Sequence, residues 1–374
     1  MDDFIPVNRP DLAGREREYL LECIESGWIS SEGPFVEKFE AAMSGAVGRR
    51  YGVAVTNGSA AIDVAVAALN LGSGDEVIMP TFTIISCAAS LVRAGATPVL
   101  VDSDPVTWNM DVGQVAQRIT ARTRAILVVH IYGLPVDMGP LLELAKDHGL
   151  HIIEDAAEMH GQTWNGRACG SFGAISTFSF YSNKHVATGE GGMVVMDDPD
   201  LAERCRSLRN LCFVPERRFV HENLGWNFRM TNMQAALGLA QLERLQDFVE
   251  RKRRMGARYD ELLSGTPGLE LPPSRTSYAQ SVYWVYGLLL SDAVPHDAST
   301  MIRRLSKLGV GARPFFWPMH QQPVFRHRGL FEGESHPVAE RIARRGFYVP
   351  SGLGLTDREL ERVAAAVRAV LAEP

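Results

Sequence analysis

The apolar residues in the first half of the chain fall in short runs that alternate with helical patterns. From about Tyr51 to Asp198 these runs are rich in β-branched and aliphatic residues and show no polar alternation. Such runs are typical of strands covered on both faces, as in a parallel sheet packed between helices. The predicted strands are 51–55, 76–79, 98–102, 125–130, 151–154, 175–180 and 192–196, and the predicted helices between them include 59–71, 83–94 and 138–148.

A different pattern follows residue 229. A long helical pattern runs from 230 to about 263 and ends at the turn Gly265-Thr266-Pro267-Gly268. Beyond it the chain predicts a strand at 283–290, helices at 298–308 and 357–371, and an aromatic, proline-rich stretch at 313–320. A chain of 374 residues exceeds the size at which one core keeps growing. We therefore expect a large α/β domain over residues 1–250, with an N-terminal arm, and a small α+β domain over residues 251–374.

Composition narrows the functional class. Charged residues make up 22% of the chain and the net charge is −6, with no basic stripe, so nucleic acid is not an expected partner. Apolar runs are far shorter than the ~20 residues of a membrane span, and we expect a cytoplasmic protein without membrane association. The five cysteines form no Cys-x-x-Cys pair, so we predict neither a disulfide framework nor a metal site.

A cluster of carboxylates follows the predicted strand 151–154. Asp155 and Glu158 belong to the segment Glu154-Asp155-Ala156-Ala157-Glu158. In open α/β sheets, ligands bind outside the carboxyl ends of the strands. An ionised acid at that edge can pair with the protonated ring nitrogen of a cofactor. For Asp155 alone, a helix cap is an equally good interpretation.

A lysine lies in the polar, glycine-rich loop between the predicted strands 175–180 and 192–196. This residue, Lys184, is flanked by Asn183 and His185, and Gly189 and Gly191 follow it. A lysine between buried strands loses solvation, so its amine is more readily neutral and nucleophilic toward a carbonyl. Most loop lysines are simply surface charges, and the spacing alone leaves that alternative open.

The turn after the first predicted strand is a candidate anion site. Its residues, Thr56-Asn57-Gly58-Ser59-Ala60, are small and precede a helix, so free backbone amides and the helix dipole can bind a phosphate. Ser59 and Ser179 can add hydroxyl donors, although Ser59 is also a plausible N-cap of an ordinary helix. His130 and Tyr132 follow another strand, where binding and packing roles are equally good interpretations.

Taken together, these clusters resemble the sugar aminotransferases of the DegT/DnrJ/EryC1/StrS family, and the resemblance covers nearly the whole chain. It rests on the segments Gly27-Trp28-Ile29-Ser30-Ser31, Asn57-Gly58-Ser59, Gly74-Asp75-Glu76-Val77-Ile78, Glu154-Asp155-Ala156-Ala157-Glu158, Phe178-Ser179-Phe180, Asn183-Lys184, Gly189-Glu190-Gly191-Gly192-Met193 and Asn227-Phe228-Arg229-Met230-Thr231-Asn232. The resemblance implies the fold of the fold-type I pyridoxal-phosphate (PLP) transferases, and PLP with its aminated form, PMP, as cofactor.

The resemblance also implies roles for individual residues. Lys184 forms the covalent link to the cofactor and moves protons, and Asp155 pairs with the pyridine nitrogen. The remaining implied contacts are Gly58, Ser59 and Ser179 at the phosphate, Asn227 at the phosphate of the neighbouring subunit, Ile84 and Glu158 along the cofactor ring, and His185, Glu190, Arg313 and His320 near the sugar nucleotide. Relatives often have an aromatic residue where this chain has Ile84, and glycine where it has Ser182.

The activity implied is transfer of an amino group from L-glutamate to a nucleotide-linked keto sugar for polysaccharide biosynthesis such as O-antigen, in a homodimer with shared active sites. The segment Arg313-Pro314-Phe315-Phe316-Trp317-Pro318-Met319-His320 is most similar to the perosamine-synthase branch, which aminates C4 of a 4-keto-6-deoxy sugar. Amination at C3, a viosamine-type 4-amination and a non-catalytic PLP-bound regulator remain alternatives. Lys184 argues against a sugar dehydratase of this fold, and the absence of a Gly-x-Gly-x-x-Gly turn after the first strand argues against a nicotinamide enzyme.

Overall fold

A computed structural model describes residues 4–217 and 219–372 of the chain. Its first part contains the strands β1 (Tyr51–Val55), β2 (Glu76–Pro80), β3 (Thr97–Val101), β4 (Thr123–Val129), β5 (His151–Asp155), β6 (Thr163–Trp164), β7 (Arg167–Ala168), β8 (Ile175–Ser179) and β9 (Gly192–Met196). Seven of them form one sheet in the order β1-β9-β8-β5-β4-β2-β3, and β6 pairs with β7 in a separate hairpin. Within the seven-stranded sheet β9 runs antiparallel to its neighbours β1 and β8, and the other pairs are parallel.

Helices cover both faces of this sheet. They are α1 (Glu16–Ser26), α2 (Pro34–Ala46), α3 (Gly58–Ala68), α4 (Ile85–Ala94), α5 (Val112–Val115), α6 (Met138–His148), α7 (Pro199–Arg209), α8 (Asn232–Leu242) and α9 (Leu245–Leu263). Because side chains alternate along a strand, Ile152 and Ile153 of β5 enter two different apolar cores. The core around Ile153 includes residues of α3, α4 and α7, and the core around Ile152 includes residues of α1, α2, α6 and α8.

The second half of the chain builds a smaller antiparallel sheet. Its elements are β10 (Leu269–Glu270), β11 (Tyr286–Leu290), α10 (Ala298–Lys307), β12 (Arg313–Pro314), α11 (Pro323–Arg326), α12 (Pro337–Arg345), β13 (Gly346–Val349) and α13 (Asp357–Ala372). The strand order is β10-β11-β13-β12, and residues of α9, α10 and α13 share an apolar core with it. The predicted domain boundary between residues 250 and 251 lies within α9, and the division into two domains stays a prediction.

The α/β fold with a mostly parallel sheet is confirmed. Predicted and observed strands agree to within two residues throughout the large sheet, and the helix at 138–148 has the predicted bounds. Uninterrupted β-branched runs fix such strands because both faces are buried, which leaves little ambiguity about where the strand begins and ends. Among the described residues, none of the helices combines the length and the apolar character that crossing a bilayer requires.

Three local expectations were wrong. Asn57, and not Ser59, caps α3: its side chain accepts a hydrogen bond from the Ala60 amide at 2.8 Å, so the helix begins one residue earlier. The helix expected over 230–263 is two helices, because the backbone of Arg244 leaves the helical region, with φ of −107° and ψ of 8°. The side chains at this break contact the N-terminal segment, where Tyr19 donates a hydrogen bond to Glu243 and Arg244 donates one to Asp11.

The third concerns the strand expected at 283–290, which begins only at Tyr286. Tyr283 has a left-handed backbone, with φ of 45°, which interrupts an extended chain. The segment before β11 instead packs against Gly133, where a side-chain Cβ would lie 2.5 Å from the Tyr283 amide nitrogen. This close approach brings Trp284 toward the ends of the parallel strands.

Candidate active site

A cavity of about 600 Å³ opens at the carboxyl ends of the parallel strands. It lies where β4, β5 and β8 end and where α3 begins, which is the edge at which open α/β sheets bind ligands. The predicted site residues that line it are Gly58, Ser59, Ile84, Asp155, Glu158, Ser179, Lys184 and Glu190. Segments separated by more than a hundred residues in sequence therefore meet in one cavity.

Lys184 reaches this cavity from the loop between β8 and β9. A turn fixes the loop, because the Lys184 amide donates a hydrogen bond to the Tyr181 carbonyl at 2.8 Å. The Lys184 Nζ lies 3.6 Å from a carboxylate oxygen of Glu158 and 3.7 Å from the ring centroid of Trp284. Burial lowers the pKa of the Lys184 amine, and the carboxylates of Glu158 and Asp155 oppose that lowering.

Glu158 is the carboxylate closest to this amine. It is 6% exposed, and its second oxygen accepts a hydrogen bond from the Tyr132 amide at 2.6 Å. Tyr132 has a φ of 55°, a left-handed backbone that is strained for a residue other than glycine. Burial raises the pKa of Glu158 to about 7, although Lys184 and the Tyr132 amide act in the opposite direction. The protonation state of Glu158 therefore changes near neutral pH.

Asp155 lies at the end of β5 and is buried. One of its oxygens accepts a hydrogen bond from the Ala157 amide at 3.0 Å, and the other lies 3.5 Å from the Cys87 thiol. Burial raises the pKa of Asp155, while the Ala157 amide and the nearby Lys184 lower it. One oxygen of the carboxylate thus stabilises the turn after β5, where the described residues form no helix for it to cap, and the carboxylate also lines the cavity.

The start of α3 forms an anion cradle beside these groups. Gly58 and Ser59 lie in the first helical turn, where backbone amides have no acceptor within the helix. A Cβ on Gly58 would lie 2.7 Å from the Cβ of Ser179, so only glycine allows the turn to lie this close to β8. The hydroxyls of Ser59 and Ser86 lie 2.6 Å apart at the same edge.

These features fit PLP. The cavity combines an amine for the carbonyl carbon, a buried carboxylate for the ring nitrogen and a helix start for the phosphate. Ile84 is 42% exposed and offers an aliphatic surface at the cavity wall for a flat ring. An amine, an acid and an anion cradle in one cavity define the class of PLP-dependent enzymes that form a covalent bond to a lysine.

Comparison with known proteins identifies the family. The chain belongs to the DegT/DnrJ/EryC1/StrS aminotransferase family, whose sequence model matches residues 10–368. The GDP-perosamine synthases of Caulobacter vibrioides and Escherichia coli O157:H7 are 41% and 38% identical to it, over 98% and 97% of this chain and 98% of each relative. The solved structure of S. venezuelae DesV has a TM-score of 0.90 at 34% identity, covering 99% of both chains. The predicted family, fold type and PLP cofactor are confirmed, and the chain is a perosamine-synthase-like sugar aminotransferase.

Four predicted site residues lie outside the cavity lining. Asn227 and Arg313 are exposed, whereas His185 and His320 are buried. His185 Nε2 donates to the Val282 carbonyl at 3.1 Å. His320 lies 2.8 Å from the Thr81 hydroxyl and 3.1 Å from a Glu340 oxygen. The two buried histidines thus make hydrogen bonds within the chain, and a substrate role for the four residues stays a prediction.

Aromatic residues of the second half of the chain complete the cavity, and sequence reasoning missed them. Trp284, Phe316, Tyr348 and, from the lysine loop, Tyr181 line it. The only signals were the aromatic character of 313–320 and the Tyr-Trp pair at 283–284. Nothing local indicates that these segments cross to the large sheet, where the Tyr132 hydroxyl accepts a hydrogen bond from the Phe316 amide at 3.2 Å.

A glycine substitution tests the anion cradle. We expect Gly58→Ala to weaken PLP binding by tenfold or more, because the new methyl group would displace Ser179 from the helix start. PLP titration followed by absorbance measures this. Gly45→Ala is the matched control, since a Cβ there meets nothing within 4 Å. Equal PLP affinities for the two variants would contradict the assignment of the cradle.

A second substitution tests the contact between Lys184 and Glu158. Ionised Glu158 raises the pKa of Lys184, so Glu158→Gln should lower the pH midpoint for acetylation of Lys184 by roughly one unit in the cofactor-free chain. Peptide mass spectrometry after competitive labelling gives this midpoint. Glu190→Gln removes another cavity-lining carboxylate and should leave the midpoint in place. A higher midpoint in Glu158→Gln would show that the ion pair does not act as described.

Proposed function

We propose that this chain transfers an amino group from L-glutamate to C4 of a GDP-linked 4-keto-6-deoxy sugar. The observation that carries the proposal is the position of Lys184 Nζ between the carboxylate of Glu158 and the indole of Trp284, in a cavity that Asp155 and the α3 start also line. The nucleotide and the sugar are inferred from the GDP-perosamine synthases, which match nearly the full length of the chain.

The cavity-lining residues would each bind a different part of the cofactor. PLP, when bound, supplies an electron sink that stabilises negative charge at the carbon bearing the transferred nitrogen. Asp155 would hold the ring nitrogen protonated, and Gly58, Ser59 and Ser179 would hold the phosphate. Ile84 would support one face of the ring.

Lys184 Nζ is the group that takes up and returns protons. Burial lowers the pKa of its amine, which favours the neutral form that accepts a proton. Glu158, whose pKa is about 7, lies within 3.6 Å and can hold a proton or a charge as the charge on Nζ changes. Trp284, Phe316 and Tyr348 line the cavity and would limit the access of water to this exchange.

The substrate would enter from the side of the cavity where Glu190 and Tyr181 are exposed. Arg313 pairs with Tyr348 in the small sheet, and Tyr348 lines the cavity, so the exposed guanidinium stands near the cavity opening. A guanidinium suits the diphosphate of a sugar nucleotide. His185 and His320 would support the adjacent parts of the chain rather than contact the substrate, since both are buried and hydrogen-bonded within the chain.

The active unit in this proposal is a homodimer with shared sites, in the cytoplasm. Asn227 is exposed and does not line the cavity of its own chain, which suits a contact to the cofactor phosphate in a second copy. The segment before it exposes Phe219 to 81% and Leu224 to 94%, apolar surface of the kind that subunit contacts cover. The 4-amino sugar product would serve polysaccharide biosynthesis, such as that of O-antigen.

A substrate panel tests the proposed reaction. Purified protein with PLP and L-glutamate is offered nucleotide-linked 4-keto and 3-keto sugars, including GDP-, dTDP- and UDP-linked forms, and products are identified by mass spectrometry and NMR. We expect the GDP-linked 4-keto-6-deoxy sugar to be aminated at C4 at the highest kcat/KM. Lys184→Ala should abolish turnover and the visible absorbance of lysine-bound PLP.

Other outcomes assign other functions. Preferred amination at C3 would overturn the regiochemistry, and preference for a dTDP-linked sugar would support a viosamine-type enzyme. PLP binding without transfer from any donor to any sugar would favour a regulator.

A further inference from the structure

A second buried lysine lies behind the cavity, in α9. Lys252 is 2% exposed and does not line the cavity. Its Nζ donates hydrogen bonds to the carbonyl oxygens of Trp284 at 2.8 Å and Ser351 at 2.5 Å. Neither the cofactor contacts nor the substrate contacts described above use this residue. Burying an amine costs free energy unless hydrogen bonds replace those lost to water.

The partners of Lys252 suit an uncharged amine. A neutral amine has two N–H donors, and the two carbonyl groups accept both. No carboxylate takes part in these hydrogen bonds, and burial lowers the pKa of Lys252 to about 7. The side chain therefore joins two pieces of main chain from the interior.

Trp284, one of these pieces, is also tied to the reactive loop. Its indole N–H donates to the carbonyl of Asn183 at 3.0 Å, and its ring centroid lies 3.7 Å from the Nζ of Lys184. Lys252 thus holds the backbone of Trp284, while the indole of Trp284 binds Asn183 and covers the amine of Lys184. Few alternatives remain for the indole once both ends are fixed.

Ser351, the other piece, belongs to the turn that follows β13. Its hydroxyl accepts a hydrogen bond from the amide of Tyr286, the first residue of β11. The Lys252 amine therefore binds the chain just before β11 and the chain just after β13, the two central strands of the small sheet. In this way α9 sets the position of the segment that carries Trp284.

We propose that Lys252 is a positioning residue, whose amine fixes the main chain at Trp284 so that the indole covers the Lys184 amine and excludes water from it. The competing explanation is a purely structural lysine that ties α9 to the small sheet. The two differ in one consequence: only the first makes the chemistry of Lys184 depend on Lys252 through Trp284. The inference concerns the chain without substrate, so it holds or fails independently of the proposed sugar.

The first test measures Lys184 directly in the full-length, cofactor-free chain. Competitive acetylation followed by peptide mass spectrometry gives the pH midpoint at which the amine becomes reactive. Asp155 and Glu158 are the charged groups that face this amine, and the variants leave both in place. We expect Lys252→Met to raise the midpoint by about one pH unit, because water reaches the amine when Trp284 moves. Lys146→Met, the same change at an exposed lysine, should leave it unchanged.

A double variant separates positioning from structure. If Lys252 acts through Trp284, Trp284→Ala alone raises the midpoint, because the water gained by the amine outweighs the lost attraction between the indole and the charged amine. Adding Lys252→Met to it then produces no further shift. A lower melting temperature with an unmoved midpoint in Lys252→Met would overturn the proposal, as would additive shifts in the double variant. Should Lys252→Met not fold, Trp284→Ala still decides: an unchanged midpoint in that variant means that the indole does not shield Lys184.

Discussion

The burial of one amine at the edge of a parallel sheet is the interaction on which this structure depends. Lys184 loses water between the loop after β8 and the indole of Trp284, and burial lowers the pKa of its amine. The carboxylates of Asp155 and Glu158 prevent that lowering from going further. The amine is therefore neutralised more easily than that of a solvated lysine, while the two carboxylates still stabilise its charged form, and proton transfer requires both forms.

The sheet topology brings the lysine and the two carboxylates to the same edge. Residue 155 in β5 and residue 177 in β8 are paired neighbours, so both strands deliver their ends to the same place. The antiparallel β9 returns the chain along β8, which keeps the connecting loop with Lys184 at this edge instead of sending it across the sheet in a helix. The start of α3 lies at the same edge because β1 pairs with β9. Three separate segments thus meet without any long excursion of the chain.

The sequence reveals those parts of the site that local pattern controls. Asp155 ends the buried strand β5, Lys184 lies between β8 and β9, and Gly58 begins α3, so each could be placed near a strand end from its own neighbourhood. Trp284 and Lys252 could not, because their roles arise from packing between segments far apart in sequence. Lys252 even belongs to the charged run Arg251-Lys252-Arg253-Arg254, which is typical of a solvated helix face, yet its side chain is 2% exposed. The prediction that Ser59 caps α3 was wrong for a simpler reason. Asn57 and Ser59 are both residue types that favour an N-cap, and only the backbone geometry selects Asn57.

Lys184 and Lys252 are both largely shielded from solvent, and one measurement decides directly which of them holds the cofactor. Treating the PLP-loaded protein with borohydride fixes the cofactor to the amine that holds it, and peptide mass spectrometry then locates the added mass. We expect the modification on Lys184 alone, since its amine lines the cavity whereas Lys252 does not. Modification of Lys252 or of a surface lysine, with Lys184 unmodified, would contradict it.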